Sequence, residues 1–196
     1  MNGTPSGDLV ETDWLEHHLG DPHLRIIDCT VFLPNYFDES AAETVEVVSG
    51  RDAYEAGHIP GSAFVDFVGE LTDPGNERFM FPMPSADQFA RARSRLGVGA
   101  GAQVVLYDRM ANIWATRLWW MLRAFGFEDA AVLNGGWATW KAEGRSVSTE
   151  PASYPAAAFA ARFRPALIAT KDEVAAAMRI GPPTFPAAPS SISSAN

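Results

Sequence analysis

Short apolar runs alternate along this chain with segments whose apolar positions recur at helical spacing. Leu24-Arg25-Ile26-Ile27-Asp28, residues 63–67, Gln103-Val104-Val105-Leu106-Tyr107-Asp108 and Ala130-Ala131-Val132-Leu133-Asn134 each read as a strand. Helical spacing covers residues 9–19, with Thr12 or Asp13 as N-cap, and residues 51–57, stopped by Gly57. It returns over residues 85–96, where Ser85 is the cap, Asp87 sits in the first turn and Gly97 follows. Two more helices are predicted over residues 113–126 and 137–143. Most of the strands are apolar throughout and alternate with helices. That pattern predicts a three-layer α/β/α domain with a mostly parallel central sheet covered on both faces.

The remaining segments set the domain limits. Residues 1–7 read as a disordered tail, and residues 8–150 as the folded domain. Residues 30–48 form a long connection with aromatic and acidic positions, and residues 69–84 an irregular, proline-containing loop. Residues 151–165, rich in Ala and Pro, read as a linker. Residues 166–180 open a new helical pattern, with Thr170 and Glu173 at capping-box spacing. Residues 181–196 are mostly Pro, Ala and Ser, a composition that predicts disorder.

Charge narrows the function classes. A formal net charge of −9 argues against a nucleic-acid or anionic-membrane surface, since both need clustered Lys and Arg. The most apolar long stretch, residues 113–127, contains Arg117 and Arg123 and is too short to span a bilayer. One cysteine, Cys29, excludes an internal disulfide framework and a Cys-rich zinc site. The N-terminus has no basic start and no apolar core, so no signal peptide is expected there. His17, His18, His23 and His58 show no metal-ligand spacing. The expectation is a cytoplasmic protein without metal or cofactor.

Open α/β sheets bind ligands at the carboxyl ends of their strands. The strand over residues 104–108 ends in Asp108, before a short loop and an aromatic helix. Three segments around this unit carry a resemblance. They are Tyr54-Glu55-Ala56-Gly57-His58-Ile59-Pro60-Gly61-Ser62; Val105-Leu106-Tyr107-Asp108 with the helix Ala115-Thr116-Arg117-Leu118-Trp119-Trp120-Met121-Leu122-Arg123-Ala124-Phe125-Gly126; and Leu133-Asn134-Gly135-Gly136-Trp137 with Trp140. In this order and spacing the chain resembles the rhodanese family of sulfurtransferases over about residues 8–150. It looks most like the N-terminal, non-catalytic domain of tandem thiosulfate and 3-mercaptopyruvate sulfurtransferases. The resemblance implies that the catalytic cysteine of the parent lies in a second rhodanese domain, at the strand end matching Asp108. Residues 166–178 then look like the opening of that second domain, interrupted by a frameshift or early stop.

The family's chemistry passes a sulfane sulfur through an enzyme persulfide, which needs a thiolate cradled by loop N–H groups. Asp108 could accept the same N–H bonds but form no persulfide. It reads as a strand-end carboxylate that caps the next helix or pairs with Arg109 or Arg117. The alternative, an aspartyl-phosphate nucleophile, lacks its usual second Asp, because Met110 stands there. Cys29 reads as a small buried residue or, alternatively, as a substitute nucleophile. His58 reads as a turn histidine bonded to backbone or a carboxylate, with Gly57 and Gly61 freeing the backbone around Pro60. Arg117 pairs with Asp28 or Asp108, or contacts an anion. Gly135-Gly136 is a tight turn rather than a phosphate loop. Trp119, Trp120, Trp137 and Trp140 are expected in the core.

Phe32, Leu33, Ile113 and Trp114, with Arg109 and Arg117 beside them, are the candidates for an anion-binding or interdomain surface. Exposed together, the four apolar side chains would favour self-association. The expected function is a scaffold domain with little or no sulfur transfer, a small sulfur anion being its expected ligand class. The rivals are a stand-alone anion- or protein-binding module and an active enzyme using Cys29.

Overall fold

The computed structural model describes residues 7–36, 45–76, 80–158 and 162–180. The expectations of disorder for residues 1–6 and 181–196 lie outside them.

Five strands form one sheet in the order β1-β7-β6-β2-β5. They are β1 (Leu9–Val10), β2 (Leu24–Asp28), β5 (Ser62–Phe64), β6 (Gln103–Tyr107) and β7 (Ala130–Leu133). Every pairing in it is parallel. β2 and β6 pair from Leu24–Gln103 to Asp28–Tyr107, so the two strands finish side by side. A second, antiparallel pair, β3 (Val31–Phe32) with β4 (Val48–Ser49), brings together the two ends of the long connection expected over residues 30–48.

The pleat divides the core in two. Val104 and Leu106 point to one face, where they pack with Phe67 and Leu71 of α3 (Phe67–Leu71), Phe89 of α4 (Ala86–Arg95) and Leu118, Met121 and Leu122 of α5 (Ile113–Ala124). Val105 and Tyr107 point to the other, with Leu15 of α1 (Thr12–His17) and Trp137 and Trp140 of α6 (Gly136–Ala142). Burial on both faces explains why these strands are apolar without alternation. Burying each large side chain contributes on the order of 2 kcal/mol.

Several sequence expectations need correction. The first helix starts at Thr12, not at Leu9, and follows Glu11, with no side-chain cap. Leu9–Val10 instead pairs with Val132–Leu133 as the edge strand, because β7 has an open side there and the apolar pair covers it. Thr12 donates to Glu143 (2.5 Å) rather than capping. The strand expected over 63–67 stops at Phe64, and α3 runs from Phe67, the last residue of that expected strand, into the loop expected over 69–84. Asp66 ends the extended run by capping that helix, its side chain accepting from Gly69 N–H. Trp119 and Trp120 are half-buried and pack against the core from its rim. Trp119 donates to the Ala130 carbonyl and carries the Arg123 guanidinium over its ring.

From residue 151 the chain is fastened to the sheet and helices. The Tyr154 hydroxyl accepts from Ile26 N–H (2.9 Å) and donates to the Gly61 carbonyl (2.5 Å). Pairing of β2 with β5 begins at Ile26–Ser62, so Tyr154 closes the open end of that pair. Gly97, at φ +66°, makes room for this side chain, since a Cβ there would lie 2.6 Å from the Tyr154 Cβ. Farther on, Ala157 N–H reaches the Ser94 carbonyl, and Arg162 and Arg164 N–H reach Phe125 and Ala124. The first compact unit accordingly runs to Arg164.

The second unit begins at Pro165. Its described part is a 3-10 turn at Pro165–Leu167 and α7 (Lys171–Ile180). Thr170 and Glu173 cap α7 reciprocally: Glu173 N–H reaches the Thr170 hydroxyl (3.2 Å), and Thr170 N–H the Glu173 carboxylate (2.7 Å).

Replacing Tyr154 with Phe removes a hydroxyl that satisfies two backbone groups. The expected cost is about 1–2 kcal/mol in urea unfolding, with an unchanged m-value. An unaltered midpoint would show that the segment after residue 150 is not fastened in this way.

Candidate functional site

Strand β6 delivers Asp108 to the carboxyl edge of the sheet, where the residue is 1% exposed. Residues 109–112 then double back before α5. Ala111 (φ 54°) and Asn112 (φ 64°) are both left-handed, a conformation that costs Ala roughly 1–2 kcal/mol and that Asn tolerates better. The carboxylate holds this turn. Oδ1 accepts from Met110 N–H (2.7 Å) and Asn112 N–H (2.9 Å). Oδ2 accepts from Trp114 N–H (2.7 Å) and Ala115 N–H (2.8 Å), two otherwise orphaned donors of the first turn of α5. A ring of inward-pointing N–H groups is the kind of nest that binds anions. Here the anion is an oxygen group of the chain itself.

Neighbouring elements lock the turn. Asn112 Nδ2 donates to the Leu133 carbonyl (2.9 Å), and Trp137 N–H to the Asp108 carbonyl (3.1 Å). Gly136 fits beneath it: a Cβ there would lie 2.8 Å from the Asp108 carbonyl oxygen. The Gly135-Gly136 turn therefore starts α6 and accommodates the loop, and no phosphate-loop role is needed to explain it. Asn112 was missed from the sequence, though an Asn before a helix is among the few residues that tolerate a left-handed backbone.

Asp108 pairs with neither Arg109 nor Arg117, since its oxygens are already engaged by backbone N–H groups. Arg109 turns instead to Asp28 at the neighbouring strand end, with Nε 3.8 Å from Oδ2. It also donates to the Gly57 carbonyl and lies over the Trp137 ring (4.1 Å). Asp28 is fully buried. Its Oδ1 accepts from the Thr30 hydroxyl (2.5 Å) and Thr30 N–H (3.0 Å). Burial raises its pKa above the ordinary carboxylate value, and the Thr30 hydrogen bonds and the Arg109 charge only partly offset this. Thr30 is a second residue that sequence reasoning passed over.

Cys29, next to Asp28, is fully buried, and its Sγ lies 3.3 Å from the Tyr107 carbonyl. Burial pushes the thiol well above its usual range, and the Asp108 and Asp28 charges push it further. These conditions oppose a nucleophilic thiolate. His58 is buried and stacked on Tyr54 (3.9 Å), with Nδ1 facing the Tyr54 carbonyl (2.8 Å) and Nε2 the Glu150 carbonyl (2.9 Å). Its backbone also bridges to Ser148. Pro60 and Gly61 complete the turn into β5, closed by Ser62 N–H on the Ile59 carbonyl.

The ion pair expected for Arg117 is absent. Its guanidinium donates to the Phe81 carbonyl and lies near the Phe67 ring, because Asp108 is taken by backbone and Asp28 by Arg109 and Thr30. Trp114 is buried, packed between Phe67 and Phe81, with Nε1 donating to the Val31 carbonyl (2.7 Å). Ile113 is 50% exposed, and Phe32 and Leu33 are half-buried. Leu33, Ile113, Trp114 and Arg117 line one recess of about 390 Å³ together with Tyr36, Met80, Phe81 and Met110. Phe32 and Arg109 are not part of it. The 80–81 wall was missed because nothing in the sequence of that loop marks its proximity to α5.

Among the described residues no cluster of three His, Cys, Asp or Glu could hold a metal ion. No helix among them is long and apolar enough to cross a membrane.

A parallel sheet of this order, with the β6–α5 loop wrapped around a strand-end group, defines a rhodanese-type α/β domain. The family model of the Rhodanese-like domain matches residues 11–143, and the chain belongs to that family. Curated relatives include the sulfur carrier protein TtuD of Thermus thermophilus, 33% identical over 167 residues. The 3-mercaptopyruvate sulfurtransferase of Escherichia coli is 32% identical over 166 residues, and the thiosulfate sulfurtransferase of Cricetulus griseus 32% over 172. Each alignment covers 85% of this chain but 51% to 55% of the relative, so the chain spans about half the length of these proteins. The crystal structure of SseA, a 3-mercaptopyruvate sulfotransferase from Escherichia coli, superposes with a TM-score of 0.73 at 30% identity. That match covers 89% of this chain and 62% of SseA.

Because the folded-state pKa of Asp28 is raised, its contribution to stability is fully present below the unfolded value near 3.8 and is lost as pH rises through the folded value. Relative to Asp28→Asn, the wild type should therefore gain stability as pH is lowered from 7 toward 4. Urea titrations of both proteins across that range check this. A constant difference, or one of opposite slope, would contradict it.

Proposed function

We propose that this chain supplies the non-catalytic first domain of a tandem rhodanese whose whole-protein activity is thiosulfate or 3-mercaptopyruvate sulfurtransfer. The observation that carries the reading is the Asp108 carboxylate inside the N–H nest at the end of β6. A sulfur carrier must be nucleophilic, polarisable and a good leaving group. A carboxylate engaged by four N–H donors is a hard, weakly polarisable oxygen group and forms no persulfide. The other nucleophile to hand, Cys29, is sealed in the core and held protonated by its surroundings. The sulfurtransferase relatives, of which this chain spans about half, support a tandem context.

In this reading the carboxyl edge of the sheet forms one wall of a cleft whose thiolate comes from a second rhodanese domain. Half-buried Leu33 and exposed Ile113 are the contact surface toward that partner. A second reading, a stand-alone binding module, draws on the recess lined by Arg117.

The pure chain should produce no thiocyanate from thiosulfate and cyanide, and no sulfide from 3-mercaptopyruvate with a thiol acceptor. Turnover above buffer level that disappears in Cys29→Ser would replace the scaffold reading with an enzyme using Cys29. Turnover that survives that substitution would refute both.

A further inference from the structure

The buried His58 ring has a main-chain acceptor on each side. Nδ1 faces the Tyr54 carbonyl (2.8 Å) and Nε2 the Glu150 carbonyl (2.9 Å). A carbonyl oxygen only accepts. A neutral imidazole carries one N–H, and the imidazolium carries two. Both bonds therefore coexist only in the protonated ring, and the neutral ring turns a lone pair toward one of the two oxygens. The Tyr54 ring, stacked on His58 at 3.9 Å, also favours the cation.

The two carbonyls are not equivalent. The bond to Tyr54 is buried and joins residues four apart, whereas the bond to Glu150 is part-buried and joins residues 92 apart. Water can take the place of the ring at Glu150 but not at Tyr54, where an unmet acceptor would stay buried. A single remaining proton accordingly belongs on Nδ1, and Glu150 is the partner released. Glu150 lies between the two other fastenings of this segment, the Ser148–His58 backbone bridge and the Tyr154 hydroxyl.

We propose that His58 is a proton-dependent joint: its imidazolium ties residues 148–154 to the turn before β5, and its neutral ring lets that segment open. Attachment is strongest at low pH and weakens as pH rises. The segment leads on to the second unit, which begins at Pro165, so the joint sets how firmly the chain before that unit is held. The inference rests on hydrogen-bond chemistry alone and is independent of the tandem reading. The titratable groups on the elements packed around the ring are Tyr54 of α2 (Arg51–Ala56), Tyr107 of β6, Asp28 of β2, Arg109, and Glu150 and Tyr154 of the segment itself. Burial raises the three tyrosines above the ordinary phenol value, so they stay neutral as imidazoles titrate. Arg109, which donates to the Gly57 carbonyl next to the ring, has Asp28 as its counter-charge. Asp28, itself raised by burial, is the group whose titration has to be separated from that of His58.

The test combines the ring nitrogen resonances of His58 with amide exchange in the full chain, from about pH 5 to about pH 8, the range in which imidazoles change charge. Both ring nitrogens should carry protons at the acid end and Nδ1 alone at the other. Over the same titration the Ser148 amide, bonded to the His58 carbonyl (2.9 Å), should lose about tenfold in protection after correction for intrinsic exchange, the contribution of one hydrogen bond to a charged group. Val105, in the middle of the sheet, should keep its protection. The fall should persist in Asp28→Asn and vanish in His58→Gln, whose amide does not titrate. A ring that carries one proton, or two, across the whole range would overturn the proposal. So would constant protection of Ser148 while the ring titrates, a fall that disappears in Asp28→Asn, or one that survives in His58→Gln. The wild-type and Asp28→Asn measurements decide the matter even where His58→Gln does not fold.

Discussion

One buried carboxylate organises the functional edge of this domain. Asp108 gathers four backbone N–H groups from a turn that contains two left-handed non-glycine residues and from the first turn of α5. Each of these donors, buried without an acceptor, would cost about 1–3 kcal/mol. The carboxylate thus fixes where α5 begins, and through α5 where Trp114 and Arg117 lie. The second strand end follows from the first, since Arg109 leaves Asp108 to the backbone and answers the buried charge of Asp28.

The rest of the fold supports that edge. Parallel pairing in register puts Asp28 beside Tyr107, the residue before Asp108, so two acidic strand ends come to lie next to each other in the sheet. The segment after residue 150 closes the opposite end of β2 through Tyr154, and the His58 ring, between the Tyr54 and Glu150 carbonyls, joins it to the turn before β5. The sequence pattern that marks the family is therefore mostly architecture: Gly57-His58-Ile59-Pro60-Gly61 builds a fastening, and Gly135-Gly136 makes room for a loop.

The sheet, its parallel sense and the helices after Ser85 could be read from the chain because uninterrupted apolar strands and local caps are encoded by nearby residues. So could the capping box at Thr170 and Glu173. The two-residue edge strand at Leu9 could not, because two apolar residues before a helix look like part of it. Nor could the partner of Arg117, since the choice among Asp28, Asp108 and a carbonyl depends on which acceptors are already satisfied in three dimensions. Residues 151–164 look like a tether by composition, and only the glycine that makes room for Tyr154 and the free end of β2 make them part of the domain. Trp114, grouped by position with Ile113 as surface, turns inward because its indole N–H has an acceptor in the Val31 carbonyl.

The rhodanese-type loop closes around an oxygen anion of the chain itself, and the four N–H bonds to it stabilise the domain. Amide hydrogen exchange at Met110, Asn112, Trp114 and Ala115 tests this most directly, in the wild type and in Asp108→Asn. The amide side chain keeps one oxygen acceptor and replaces the other with a donor. All four amides should be strongly protected in the wild type, and a pair of them, either Met110 with Asn112 or Trp114 with Ala115, should exchange much faster in the variant. Fast exchange of these amides in the wild type, or equal protection in both proteins, would contradict it.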